Sequence, residues 1–474
     1  MFINEPLATT EVQAESESFT LRPIPEAEEI AALVEEKRYP EIRRSLEEAP
    51  PQDIAELLLE LDMSHLAKVF RLLPKELASE VFVELEGDLQ RSLISVFSDS
   101  ELSAVLEEMY LDDTMDLIEE MPASVVKKII RSSSGENRHQ INRLLKYDRD
   151  SAGALMTTEY VRLKPSMTVR EALRHIREVA IDKETIYTCY VTDSYRHLIG
   201  IVTAKALLIS DKDQPISEIM EENVIYAHTT DGKEEVARMI DKYGFIALPV
   251  VDSEIRLVGI VTVDDALDVI REETEEDFAK MAGITPGEKS YMRTSVFEHL
   301  WSRIPWLLLL MISSTISGAI LSGFEAALPA VLILFVPMLM GTGGNSGGQS
   351  SVTVIRSLSL GEIEFKDILR VVWKELRVGF FAGIILGVVS FAKIIFLDGW
   401  MLGNTDIDIE VALVISLALS ATIIISKLIG AILPMVAKKM HLDPAVMASP
   451  FITTAVDAVS LLLYFAVARY CFGL

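Results

Sequence analysis

The residues whose chemistry stands out lie inside an apolar run near the C-terminus. Between Asp443 and Asp457 the chain carries Pro444, Ser449, Pro450, Thr453 and a second acid, Asp457. An ionisable group inside a membrane span is costly and marks a functional position by default. Ser449, Thr453 and Asp457 recur at i, i+4 and i+8, so a helix places them on one face. Pro450 has no N–H to donate to the carbonyl of Val446, which leaves an oxygen free for water or an ion. A carboxylate with hydroxyl and carbonyl oxygens suits a hard cation. Mg2+ gives up its waters reluctantly, so one or two carboxylates with retained waters form a natural site for it. The bland alternative is an aspartate hydrogen-bonded between helices.

A second run, Pro337 to Gln349, holds five glycines together with Asn345 and Gln349. The glycines weaken a helix and permit close backbone approach. No Gly-Lys-Ser/Thr follows, so this is not a phosphate loop. Asn345 and Gln349, one turn apart, are expensive in lipid and are expected to face the protein interior or a watery path. Pro337, Asn345, Gln349 and Pro450 are therefore read as pore-lining or packing residues.

A third cluster is acidic. Asp264, Asp265, Asp268, Glu272, Glu273, Glu275, Glu276 and Asp277 lie in one short stretch with Arg271 as its single base. Like charges at i, i+4 disfavour a helix by a few tenths of a kcal/mol each. Such a helix calls for cations or a basic partner, although most charge runs are solvated faces. Asp112 and Asp116 form another i, i+4 acidic pair that could face it.

The elements that must position these residues follow from composition. At 474 residues the chain is long enough for several domains. The stretch from Trp301 to Leu474 has 11 basic and 11 acidic residues, so the whole net charge of −27 precedes it. An acidic soluble part disfavours nucleic acid, whose phosphates need Lys and Arg. Residues 1–25 read as a disordered tail without a signal peptide. Residues 26–148 repeat short amphipathic helices and predict an all-α helical solenoid. Residues 149–213 and 214–271 duplicate a mixed α/β pattern, with Gly200 and Gly259 opening equivalent Gly-Ile-Val-Thr strands and Met156 and Met220 at equivalent turns. This resembles a tandem pair of CBS domains. Residues 272–299 read as a connecting helix, and 300–474 as a five-helix transmembrane domain. Its predicted spans are 301–323, 327–355, 371–397, 410–437 and 443–470, each long enough for a hydrocarbon core of about 30 Å. Asp457 thus falls 14 residues into the fifth.

Arg356, Lys366, Arg370, Lys374, Arg377, Lys438 and Lys439 sit on one side of the spans, and Asp398, Asp406, Asp408 and Glu410 on the other. The positive-inside rule then predicts a cytoplasmic N-terminus and an external C-terminus in the inner or plasma membrane. Lys427 lies within span four. It must find a polar partner or snorkel towards the cytosol, and it is expected to face away from an ion path. Seven histidines show no metal-ligand spacing. Cys189 and Cys471 fit no redox motif, and no nucleophile elbow or zinc motif is present. Enzyme activity is not expected.

Taken together, the Pro337–Gln349 run, the Asp443–Asp457 run, the CBS pair and the acidic helix resemble the MgtE family of Mg2+ channels. The resemblance covers nearly the whole chain after the first 25 residues or so. It implies a homodimer that imports Mg2+, with Asp457 holding a largely hydrated ion on the pore axis and Ser449 and Thr453 lining that site. It implies that cytosolic Mg2+ bridges Asp112, Asp116, Asp265, Asp268, Glu273, Glu276 and Asp277 and holds the pore shut. It also admits ATP at the CBS pair, for which the sequence carries no diagnostic motif. Gly244 stands where the family pattern leads us to expect an acid. A carrier or channel for another divalent cation, such as Co2+ or Mn2+, and a non-transporting CBS membrane sensor are the competing readings.

Overall fold

The computed structural model describes residues 24–287, 291–292, 294–325, 329–404, 407–447 and 449–472; the side chains of Asp182, Glu325, Met447, Ser449 and Pro450 lie outside that description. The tail expected over residues 1–25 therefore falls almost wholly outside it. The chain divides into two compact units, one ending at Ile270 and the other starting at Arg271.

The first unit opens with ten helices of 8–10 residues, from Ala27–Glu35 to Gly135–Leu144. They are short because the sequence punctuates them. Asp62 and Ser98 cap their helices with side-chain oxygens, and Pro50, Pro74 and Pro122 stand immediately before three others. Alternate helices pack on each other, Pro51–Glu60 on Lys75–Val83, that one on Asp99–Glu108, and that one on Ala123–Ser132. This is the predicted solenoid, with Phe70, Phe82 and Phe97 clustered at its core.

The duplication folds as two equivalent three-stranded sheets. In each, the first pair is parallel and the second antiparallel: β1 (Tyr160–Leu163) on β2 (Thr185–Thr192) on β3 (Leu198–Thr203), and β4 (Ala227–His228) on β5 (Ala247–Val251) on β6 (Leu257–Thr262). The copies clasp each other through their repeated motifs. A Cβ on Gly200 would strike Met220 of the second copy, and one on Gly259 would strike Met156 of the first. Glycine suits both because the other copy's methionine and a backbone carbonyl crowd that space, Glu221 O at 3.1 Å from a Cβ on Gly200 and Thr157 O at 2.8 Å from one on Gly259. Gly244, at φ 65°, ends the helix Lys233–Tyr243 in the left-handed conformation. An acid there would carry backbone strain, which explains locally why this position is glycine.

Among its described residues the second unit contains five helices long and apolar enough to cross a membrane: span one Val296–Phe324, span two Ala330–Ser359, span three Phe365–Met401, span four Ile409–Lys439 and span five Phe451–Phe472. The glycine-rich run makes the close approach expected of it, and the weakening expected of five glycines does not interrupt its helix, which continues from Val336 to Ser359. Packing overrides propensity, because Gly343 and Gly347 are buried against Thr422 and Ser426 of span four and Val456 and Ser460 of span five. Gly430 of span four lies so close to the Gly347 carbonyl that no Cβ fits. In span five, residues 445–447 form a 3-10 turn and the long helix is Ser449–Phe472, with Ala448 between them outside the described residues. Pro450 is the second residue of that helix, a position proline tolerates, and Asp457 lies about two turns in.

Candidate functional site

Span two and span five together shape an open groove of about 660 Å3. From span two it is lined by Met340, Gly341, Gly344, Asn345, Gly348, Gln349, Val352 and Thr353, and from span five by Thr453 and Asp457. The geometry follows from helical spacing. Gly341, Asn345, Gly348 and Val352 lie on one stripe of span two, and Thr453 and Asp457 are one turn apart on span five. Gly344 stands beside both: a Cβ there would be at ordinary van der Waals distance, 3.5 Å from the Thr453 side chain and 3.9 Å from Asp457 Oδ1.

Four of the residues singled out by sequence, Asn345, Gln349, Thr453 and Asp457, thus share one cleft. Pro337 does not line it and sits in the first turn of the Val336–Ser359 helix. The side chains of Ser449 and Pro450 are outside the described residues. Thr353, which the sequence reading missed, is i+4 from Gln349 on the same stripe, so that spacing was the available signal. The groove can offer one carboxylate, amides and a hydroxyl to a cation with its water shell. Span two also carries a short break between the helices Ala330–Ile333 and Val336–Ser359. The Leu332 carbonyl beside it accepts from the buried Tyr464 hydroxyl at 2.8 Å, as a backbone oxygen in this environment must.

The acidic residues divide between the units. In the first, Asp112 is buried on the helix Leu111–Glu120. Burial pushes its carboxyl well above the usual range, and the charges of Asp265, Glu184 and Asp113 add to the effect. Asp265 is raised by burial and then by Asp264 and Asp113, while Thr262 Oγ1 donates to it at 2.7 Å. Asp113 is pushed up to about 6 by burial, with Asp264 and Glu84 contributing. Glu184 is pushed up to about 7 by burial, with Asp264 the nearest charge in effect. Asp116 moves in the same direction, through loss of hydration and then Asp265, although solvent reaches its side chain and tempers the shift. Asp268 is exposed. Glu184 and Asp113 were not among the expected residues, and Glu184 reaches this cluster only through the fold of the first CBS copy. Among the described residues, no three His, Cys, Asp or Glu side chains converge closely enough to hold one metal ion. The acids gather without closing a coordination shell.

These shifts predict a pH dependence with a definite sign. Carboxyls raised on folding contribute stability below their unfolded values near 4, and that contribution fades as pH rises through 6 to 7. In Mg2+-free buffer the thermal midpoint of the cytosolic part should therefore rise between pH 8 and pH 6. After discounting for solvent screening the gain is on the order of 1 kcal/mol, or ~2–4 °C. Millimolar Mg2+ should abolish the difference, because the cation neutralises the same groups. Scanning calorimetry of the purified protein at both pH values checks this.

In the second unit the connecting helix Val263–Met281 continues past Arg271. Glu273 lies on this part of the helix and is half-buried. Asp277 Oδ2 accepts from Ser359 Oγ at 3.0 Å, at the end of span two. Lys280 pairs with Glu276 and, at 2.5 Å, with Asp443 in the loop before span five. Asp277 is therefore joined to the end of span two, and Glu276, through Lys280, to the loop that leads into span five.

Residues 336–467 match the MgtE family profile, described as a divalent cation transporter. Residues 49–150 match the MgtE intracellular N domain, and 152–212 and 216–272 the CBS domain. The magnesium transporter MgtE of Thermus thermophilus is 37% identical over 434 residues, covering 90% of this chain and 94% of that protein. The magnesium transporter MgtE of Bacillus subtilis is 33% identical over 442 residues, covering 93% and 96%. A crystal structure of the cytosolic domain of the Mg2+ channel MgtE in complex with ATP is 39% identical, covers 51% of this chain and 99% of that one, and superposes with a TM-score of 0.49. With relatives above 30% identity spanning nearly its whole length, the chain belongs to the MgtE family of magnesium transporters and is a membrane-embedded transporter rather than an enzyme.

Proposed function

We propose that the protein is a Mg2+ channel whose ion path runs along the groove between spans two and five, and that its cytosolic acids close it when Mg2+ is plentiful. The placement of Asp457 beside Asn345, Gln349 and Thr453 carries this reading. The ion passes as a largely hydrated species, with Asp457 supplying the charge and the amides and Thr453 contacting its waters. The groove is open along one side, and a second copy of the chain meeting it there completes a pore on a two-fold axis. Ser449 belongs to the same face by helical spacing.

The gate works by linkage. Without Mg2+, Asp112, Asp116, Asp265 and Asp268 of the first unit and Glu273, Glu276 and Asp277 of the second repel their acidic surroundings. Mg2+ neutralises them, and the state that brings them together binds more of the ion. The connecting helix transmits the change, since Asp277 holds the end of span two and Lys280 the loop leading into span five. The basic residues after span two and after span four face the cytosol, which places the N-terminus inside and the C-terminus outside. ATP at the CBS pair is part of the same reading, as in the related cytosolic domain solved with ATP, and calorimetric titration of the purified protein with ATP tests it.

The decisive experiment is Mg2+ entry into liposomes containing the purified protein, paired with single-channel recording. Saturable entry with resolvable unitary currents is expected. Entry without unitary currents would make it a carrier, and no flux of Mg2+, Co2+ or Mn2+ would make it a sensor.

A further inference from the structure

Lys427 is an intramembrane charge to which the ion path assigns no role. It is 7% exposed, so it does not snorkel, and it does not line the groove. Its Nζ donates to Ser350 Oγ at 3.4 Å, and Ser350 Oγ donates to Glu375 Oε2 at 2.6 Å. An ammonium on span four is thus joined through a hydroxyl on span two to a carboxylate on span three. Its stem passes Gly379 of span three, where a Cβ would lie 3.6 Å from Lys427 Cδ.

The ammonium and the carboxylate are bridged by the hydroxyl, and Glu375 is half-buried. Such an arrangement is a poor device for stability alone, since even a direct buried ion pair can often be replaced by apolar residues of similar volume without loss, whereas removing one partner is strongly destabilising. Its best-attested use is to specify register. The middle of span two needs such a device. Large side chains are buried at its two ends, Leu339 on one side and Val354, Ile355 and Leu358 on the other, but between them the buried face is Gly343, Ser346, Gly347, Ser350 and Ser351, and among the described residues the hydroxyls of Ser346 and Ser351 find no protein partner. Over that stretch, which faces away from the groove residues, small side chains let helices approach closely but provide no large knob to key rotation. Ser350 is the position where a directional contact from two neighbouring helices meets this face. It directly follows Gln349, which faces the groove. One residue along a helix is about 100° of rotation, so what holds Ser350 inward also holds Gln349 and Asn345 outward.

We propose that Lys427, acting through Ser350 together with Glu375, is a positioning residue for the ion path: it sets the rotation of span two and so presents Asn345 and Gln349 to the passing cation. This rests on the reading of the groove as the path.

The test uses full-length protein in liposomes and the neutral pair Lys427→Met/Glu375→Gln, which leaves no uncompensated charge and is expected to fold with the thermal stability of the wild type. If the residues position span two, Mg2+ flux in the double variant still falls about tenfold, as a small misplacement of binding groups costs. The single variant Lys427→Met falls at least as far. A second readout is the labelling rate of Gln349→Cys, in a Cys471→Ser background, by a water-soluble thiol reagent, followed by mass. This rate should differ several-fold between the wild-type and neutral-pair backgrounds. Wild-type flux with an unchanged labelling rate in the neutral pair overturns the proposal and leaves the groove reading standing. A Gln349→Cys thiol that resists labelling in the otherwise wild-type protein overturns the groove reading itself, and the proposal with it.

Discussion

Asp457→Ala is expected to reduce Mg2+ uptake by at least ~100-fold while leaving the protein folded. Two unit charges 4 Å apart interact by about 4 kcal/mol at an effective dielectric of 20, and a divalent ion doubles that. With a layer of water between ion and carboxylate several kcal/mol remain, and each 1.4 kcal/mol is a factor of ten in occupancy. Asp457→Asn keeps the shape and loses the charge, so it should fail nearly as badly. Neither change should affect folding strongly, because the side chain points into the groove rather than the core. Fluorimetric Mg2+ entry into liposomes, with size-exclusion elution as the folding control, measures both. Uptake at the wild-type level in Asp457→Ala would mean that the ion travels elsewhere.

The second large effect concerns the gate. In the variant Asp265→Asn/Asp268→Asn/Glu276→Gln/Asp277→Asn, two consequences oppose each other. Neutralisation removes metal ligands, so at high cytosolic Mg2+ the closed state loses its bridging ions and the channel stays open. It also removes repulsion, so at zero Mg2+ the variant is less open than the wild type. The response should therefore flatten from both ends, and the Mg2+ concentration for half-closure should rise by more than about tenfold, or ~1.4 kcal/mol of coupling. Limited proteolysis across a Mg2+ titration reads the same change. Mg2+ protection that persists in the quadruple variant would place the switch on other residues, with Asp112, Asp113 and Glu184 the next to examine.

The two predictions differ in how far the sequence supports them. The groove was legible because helical spacing is a local property. Asn345 and Gln349, and Thr453 and Asp457, recur every four residues, and a carboxylate in an apolar span has few reasons to be there. The acidic cluster was legible only in part. Asp112 and Asp265 could be singled out as acids in suggestive places, but Glu184 precedes a strand in the first CBS copy, and nothing local links it to a helix some seventy residues earlier. Its carboxyl belongs to the cluster because the solenoid and the CBS pair fold as one compact unit.

The start of span five was only partly legible for a related reason. The sequence places it at residue 443, whereas residues 445–447 form a 3-10 turn and the long helix is Ser449–Phe472; hydropathy does not distinguish the two. The glycine-rich run carried two expectations, a weakened helix and close backbone approach. The close approach is what the structure shows, and the packing of spans four and five against span two keeps the run helical despite its low propensity.

By itself the sequence determined the division into an acidic soluble part and a neutral apolar part, the duplicated α/β module, the five spans and the identity of the intramembrane acid. All of these are set by composition and period, which the chain carries locally. Only the tertiary structure decided which helix Asp457 faces, which acids share a cluster, and that Lys427 meets Ser350 beside Glu375. Those are contacts between residues distant along the chain, and their geometry depends on how closely backbones approach where side chains are small.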